Sequence, residues 1–94
     1  MVTTAQTFSS VFDALAHTPQ EAANMRARAE LAQALKALVQ AQGWTQAEAA
    51  QRCGVTQPRM NDLLRGRISR FSLDALVNMA VSSGQRVRVA LEAA

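Results

Sequence analysis

The chain has 94 residues, 49% of them hydrophobic, and a formal net charge of +3. This length fits one domain with a modest core, and the many Ala and Leu residues beside only 4 Gly and 2 Pro predict a mainly helical fold. A single cysteine excludes an intramolecular disulfide. The sequence shows neither a basic-then-apolar leader nor an apolar run approaching ~18 residues, so we expect a cytoplasmic protein.

Residues 1–17 differ from the rest of the chain. They are rich in Thr and Ser, with an apolar cluster formed by Phe8, Val11, Phe12 and Leu15. This pattern predicts either an N-terminal arm or a short helix that packs back on the body. We therefore divide the chain into this segment and a domain over residues 18–94.

The first strong helix signal is the sequence TPQE. Thr18 is placed to cap a helix, Pro19 suits its first position, and Glu21 completes a capping box. Leucines recur at helical spacing after this start. The helix is therefore expected to run to about Gln42 and to end at Gly43.

Two short helices are predicted next. The capping box TQAE begins the second helix, Thr45–Cys53, with Trp44 preceding it, and Gly54 ends it. Thr56 then caps a third helix, Thr56–Arg65, whose proline lies in the first turn, where an N–H has no intrahelical partner. Gly66 ends this third helix.

The sequence RISRF is predicted to be a loop, and a fourth helix follows it. Ser72 caps this helix, and Phe71 and Leu76 occupy the positions of a hydrophobic staple. Gly84 ends the helix.

The C-terminal sequence changes from a helical to a two-residue period. Val87, Val89 and Leu91 alternate with Arg88 and Ala90, which predicts a half-buried strand over residues 86–91. Such a strand needs a partner, either the N-terminal segment or the same strand of a second copy. We favour the second copy, because residues 1–17 do not alternate, and the three apolar residues are then dimerisation candidates.

The second and third helices follow the helix-turn-helix plan. Ala49 and Ala50 allow the two helices to cross closely, and Gly54 tolerates the positive φ of the turn. At about 100° per residue, the third helix has one apolar inner face. That face consists of Met60, Leu63 and Leu64, with Val55 beside it.

The opposite face of the third helix has side chains of the types that hydrogen-bond DNA bases. Gln57 and Asn61 can hydrogen-bond base edges in a major groove, whereas Asp62 can either accept from cytosine or orient a neighbouring arginine. Four arginines are candidates for phosphate contacts: Arg59, Arg65, Arg67 and Arg70. Charge placement agrees, since residues 52–94 contain seven arginines and three acids. A solvated, slightly basic bundle surface is the alternative.

The sequence GWTQAEAAQRCGVTQPRMNDLLRGRISRFSLDALVNMA resembles the Xre/Cro-type helix-turn-helix family, and within it the small HigA-like antitoxins and their solitary relatives. The resemblance covers about residues 18–91. It implies a helical DNA-binding fold that acts as a dimer. Together with the C-terminal alternation, this predicts a lambda-repressor-like bundle of four to five helices with a short C-terminal strand, for which pairing across the dimer is the favoured of the two alternatives. The resemblance also adds Pro58 to the base-reading candidates and Gln46 and Thr56 to the phosphate candidates.

The remaining chemistry-bearing residues favour no catalytic or metal site. Cys53 has no Cys or His at metal-ligand spacing and is interpreted as a buried thiol. His17 lies four residues after Asp13, but no nucleophile is placed to complete a catalytic set. We therefore expect neither an enzyme nor a cofactor.

These observations predict a homodimeric transcriptional repressor that reads an inverted repeat in double-stranded DNA, with half-sites about one helical turn, ~34 Å, apart. The resemblance implies an antitoxin that controls its own operon and silences a small RelE-like ribonuclease. A solitary or prophage-derived regulator and, less favoured, a helical protein-interaction module are the alternatives.

Overall fold

The computed structural model describes Ala14 and residues 17–94. Within the latter range the chain forms four α-helices, α1 (Pro19–Gln42), α2 (Gln46–Cys53), α3 (Gln57–Leu64) and α4 (Leu73–Ser82), with one turn of 3-10 helix (Ile68–Arg70) between α3 and α4. The arm or short helix predicted for residues 1–17 lies almost wholly outside the described residues. None of the described helices is long and apolar enough to cross a membrane.

Each α-helix begins at its predicted cap. The cap side chain accepts a hydrogen bond from the backbone N–H three residues later at Thr18, Thr45, Thr56 and Ser72. The return bond of the first capping box differs from the usual pattern, because the Glu21 carboxylate accepts from the backbone N–H of His17, one residue before the cap, at 2.9 Å. The caps therefore confirm the predicted helix starts.

The core lies where the four helices meet. α1 packs against α4 and also contacts α3 and the 3-10 turn, while α2 packs against both α3 and α4. Small residues line much of this core, which lets the helices approach closely. The buried cluster contains Ala32, Leu35, Val39, Ala49, Ala50, Cys53, Met60, Leu63, Phe71, Leu76, Met79 and Ala80.

Two local predictions need correction. The segment RISRF was predicted to be a loop, but Ile68–Arg70 forms a 3-10 turn that begins just after the positive φ of Gly66. Three residues are too few to show a helical period, so this turn left no pattern to detect. The third helix also ends at Leu64, with Arg65 as its cap, one residue earlier than predicted.

The strand predicted for residues 86–91 does not form in the structure of the single chain. Residues 85–94 have no regular secondary structure, and residues 17–84 contain no strand beside which they could pair. A strand requires backbone hydrogen bonds to a neighbouring strand, so an alternating sequence pattern alone cannot produce a strand. Val87 packs against the core, whereas Val89 and Leu91 are 87% and 100% exposed.

Candidate nucleic-acid interface

The crossing of α2 and α3 has the predicted helix-turn-helix geometry. Ala49 and Ala50 are buried where the helices approach, and Gly54 turns the chain at φ 70°. A Cβ at Gly54 would lie 3.5 Å from the Ser82 hydroxyl, an ordinary contact, so the requirement for glycine here is conformational. Met60 and Leu63 are buried beneath α3, as the inner face predicted.

The opposite face of α3 is accessible to solvent, beginning with the first turn of the helix. Gln57 and Pro58 are exposed, and Asn61 is half-buried. The Gln46 side-chain amide donates to the backbone carbonyl of Gln57 at 3.0 Å, which ties the start of α2 to the start of α3. This amide nitrogen carries two protons, so it can hold α3 and still donate to a phosphate.

Asp62 is engaged by two arginines of the following turn. Its Oδ1 atom accepts from Arg67 NH1 at 2.9 Å and from Arg70 NH1 at 3.0 Å. Desolvation acts to raise the pKa of Asp62, but the hydrogen bonds and charges of the two arginines together lower it. These contacts are the ones expected if Asp62 orients neighbouring arginines, and base reading by Asp62 stays a prediction.

Arg59 turns away from the accessible face. Its NH1 atom donates to the backbone carbonyl of Arg70 at 2.7 Å, and its guanidinium lies 4.1 Å from the centre of the Phe71 ring. Both contacts are intramolecular and link α3 to the chain that precedes α4. The sequence prediction of a phosphate contact missed these partners, because it is the 3-10 turn that brings Arg70 and Phe71 to the flank of α3.

Arg28 is a second arginine that holds the same segment, and sequence reasoning did not single it out. It lies in the middle of α1 and donates from NH1 to the backbone carbonyl of Phe71 at 3.4 Å. An arginine on an alanine-rich helix gives no signal of such a contact, since the acceptor lies 43 positions away in the chain. Arg28 and Arg59 therefore fix two successive carbonyls, those of Arg70 and Phe71.

Cationic side chains remain concentrated around α3. Residues 52–70 contain five arginines and one acid, Asp62. Arg65, Arg67 and Arg70 are exposed, and Arg52 stacks over the Trp44 ring at 4.8 Å from its centre. Exposed arginines next to a polar helix face suit bidentate binding of phosphate beside a base-reading edge.

The described residues contain no group of three or more His, Cys, Asp or Glu side chains that could hold a metal ion. Cys53 is buried at the end of α2, and desolvation raises the pKa of its thiol. This agrees with its interpretation as a packing residue.

A second surface lies on the side of α1 and α4 next to the C-terminal segment. An open apolar groove there is lined by residues from α1, α4 and the C-terminal segment, including Ala27, Leu31, Ala34, Leu73, Val77 and Val89. Val87 also lines this groove and packs against the core, which holds the start of the C-terminal segment against the helices. The exposed Val89 therefore belongs to a partly covered apolar surface, and the exposed Leu91 follows it two residues later in the chain.

Comparison with known proteins agrees with this geometry. A family model described as a helix-turn-helix domain matches residues 14–92, a span that includes all four helices and most of the C-terminal segment. No curated protein matches the chain significantly.

Proposed function

The chain belongs to the helix-turn-helix domain family, and from this we propose that it is a transcriptional repressor that binds a specific operator through α3. The observation that carries the proposal is the division of α3 into two faces. Met60 and Leu63 anchor the helix in the core, while Gln57 and Asn61 lie on the accessible side with exposed arginines directly after them. A helix anchored in this way can enter a major groove without losing its packing.

We assign base reading to Gln57 and Asn61, with Pro58 setting the first turn of α3. Each good amide contact to a base edge discriminates by about 1–3 kcal/mol. The backbone grip is assigned to Arg65, Arg67 and Arg70, assisted by two residues at the helix starts, Gln46 and Thr56. Arg59 is given a structural role instead, because its guanidinium is held by Phe71 and the Arg70 carbonyl.

We further propose that the regulator is a homodimer in which residues 86–91 of two copies pair as strands. The support is the alternating pattern, the exposure of Val89 and Leu91, and the apolar groove that Val87 and Val89 line. Strand pairing would satisfy the backbone groups of this segment and cover its apolar side chains at once. Two α3 helices related by a two-fold axis would then read an inverted repeat.

The finer assignment, an antitoxin that represses its own operon, is supported by the resemblance of residues 43–80 to HigA-like antitoxins. It requires a protein partner, expected to be a small basic RelE-like ribonuclease. A basic open reading frame of about 90–120 residues next to this gene would favour the antitoxin, since this length and charge fit one small domain that binds a polyanion. A gene without such a neighbour would favour a solitary regulator.

The central test is binding to the chain's own promoter and to a scrambled duplex, measured by fluorescence anisotropy at several salt concentrations. We expect tight, steeply salt-dependent binding to the promoter and weaker binding to the scrambled duplex. Gln57→Ala should relax selectivity at one base pair. Arg65→Ala should instead weaken binding to both duplexes and make that binding less dependent on salt concentration. Equal, salt-insensitive affinities for both duplexes would instead identify a protein-interaction module.

Dimer pairing is tested separately by sedimentation. Leu91→Asp places a charge in the proposed strand pair and should convert the dimer to a monomer, while a matched change at the exposed Ala94 should not. A wild-type chain that is monomeric at micromolar concentration would contradict the dimer.

A further inference from the structure

The contact between Asp62 and its two arginines joins the end of α3 to the turn that follows it. One carboxylate oxygen accepts both bonds, at 2.9 Å and 3.0 Å, so the two NH1 atoms are at most about 6 Å apart. The Asp62 side chain is only 16% exposed, while those of Arg67 and Arg70 are 42% and 56% exposed. The acid is thus covered, and its two cationic partners face solvent.

Each arginine keeps most of its hydrogen-bonding capacity. A guanidinium carries five N–H donors in a planar fork, and each arginine contacts Asp62 through its NH1 atom. The other edges of the two forks are of the kind that binds phosphate oxygens in bidentate fashion. Two guanidinia held this close can therefore grip one phosphate group together.

Two further contacts restrict where this pair can be. The Arg70 carbonyl accepts from Arg59, and the next carbonyl, that of Phe71, accepts from Arg28. The backbone at this point is therefore tied to both α3 and α1. Because side chains and backbone are held together, the pair has a fixed position relative to the base-reading face of α3.

We propose that Asp62 is a positioning residue that determines specificity: it presets Arg67 and Arg70 as a clamp for one DNA phosphate in the register that places Gln57 and Asn61 on their bases. This inference rests on the proposed function of α3. Asp62 acts through the two arginines and touches no base.

The charge of Asp62 has a second effect in this arrangement. The carboxylate reduces the local charge of the three side chains from +2 to +1, which weakens the attraction of the clamp for any phosphate that it meets in another register. A correctly placed phosphate gains from the preset geometry, whereas a misplaced one gains only from the reduced charge. Asp62 therefore lowers non-specific binding more than operator binding.

The variant Asp62→Asn keeps the size of the side chain and removes its charge. We expect binding to scrambled DNA to strengthen about threefold or more and to become more salt-dependent, so that the ratio of operator to scrambled affinity falls about five- to tenfold. Asp62→Glu restores the charge and should recover most of the wild-type salt dependence. Glu92→Gln removes an equal charge from the exposed C-terminal segment and should leave the ratio unchanged.

A double-mutant cycle separates this role from a general effect on folding. In a chain that carries Arg67→Gln and Arg70→Gln, adding Asp62→Asn should have no further effect on the affinity ratio, because the residues through which Asp62 acts are gone. Thermal melts of each variant without DNA report folding independently. Should Asp62→Asn fail to fold, the variant with Arg67→Gln and Arg70→Gln still tests the proposal. Loss of the clamp should lower operator affinity by a larger factor than scrambled affinity, and equal losses on both duplexes would overturn it.

Several results would overturn the inference. If Asp62→Asn and Glu92→Gln had the same ratio of operator to scrambled affinity, Asp62 would not determine specificity. If Asp62→Asn lost selectivity at one base pair only, Asp62 would read a base. An additive effect in the double-mutant cycle would show that it does not act through the arginines. Failure of the proposed function is distinguishable, because the wild-type chain itself would then not discriminate operator from scrambled DNA.

Discussion

Replacement of Arg59 by glutamine tests whether this residue stabilises the fold or binds phosphate. The change removes a charge-assisted hydrogen bond to the Arg70 carbonyl and a cation–π contact with Phe71. In water-exposed settings the cation–π contact contributes ~0.5–1 kcal/mol, and a hydrogen bond from a charged donor somewhat more, so we expect the free energy of unfolding to fall by about 2 kcal/mol. For a domain of this size, that lowers the melting temperature by roughly 8–16 °C.

Arg65→Gln is the matched control. It removes the same charge from the exposed end of α3 and should change the free energy of unfolding by less than about 0.5 kcal/mol. Its effect should fall on DNA binding instead, as a decrease of about 0.9 in the slope of log affinity against log salt.

Melting by circular dichroism at one fixed protein concentration gives the stabilities, because any dimer makes the melting temperature concentration-dependent. Anisotropy titrations across salt give the slopes. If Arg59→Gln had the melting temperature of the wild type and the same reduction of salt slope as Arg65→Gln, Arg59 would be a phosphate contact and its structural role would be refuted.

Three further predictions concern the fold around α3. Met60→Ala removes a fully buried side chain beneath α3 and should cost about 2–5 kcal/mol in urea denaturation, whereas Pro58→Ala on the exposed face should cost far less. Thr56→Ala removes the cap bond to the Arg59 N–H and should cost about 1 kcal/mol, with Thr56→Ser close to wild type; equal losses would contradict the cap. The lowered pKa of Asp62 stabilises the folded state at and above the ordinary aspartate pKa of about 3.9, and this contribution is lost as pH falls through the lower folded value. The melting temperature of Asp62→Asn should therefore fall less steeply than that of wild type below about pH 4.

The helices and their crossing could be predicted from the sequence because the signals are local. A cap hydroxyl, the residue three positions later and a glycine at the end lie within one or two turns of one another, so Thr45 and Gly54 indicate the bounds of α2 without knowledge of its neighbours. The inner face of α3 is equally local, since Met60 and Leu63 follow from helical spacing alone.

The contacts that hold the arginines could not be predicted in the same way. The partners of Arg28 and Arg59 are backbone carbonyls, and every residue has one. Only the path of the folded chain determines which carbonyl lies within hydrogen-bond distance of each arginine. That path depends on the 3-10 turn, which is too short to leave a periodic pattern. The strand predicted over residues 86–91 failed for a different reason. Its alternating pattern indicates that the segment can pair as a strand, but a strand forms only when a neighbouring strand supplies the backbone hydrogen bonds.

The two faces of α3 bear on how copies of this gene would diverge. Substitutions at exposed positions such as Gln57 usually change the free energy of unfolding by no more than about 0.5 kcal/mol. The fold therefore tolerates most mutations at these positions. Arg59 and Asp62, on the same helix, are tied to Phe71, Arg67 and Arg70, and changes to them disturb several contacts together. After duplication, we expect sister copies to acquire different target sequences within a few substitutions while the scaffold beneath them stays the same.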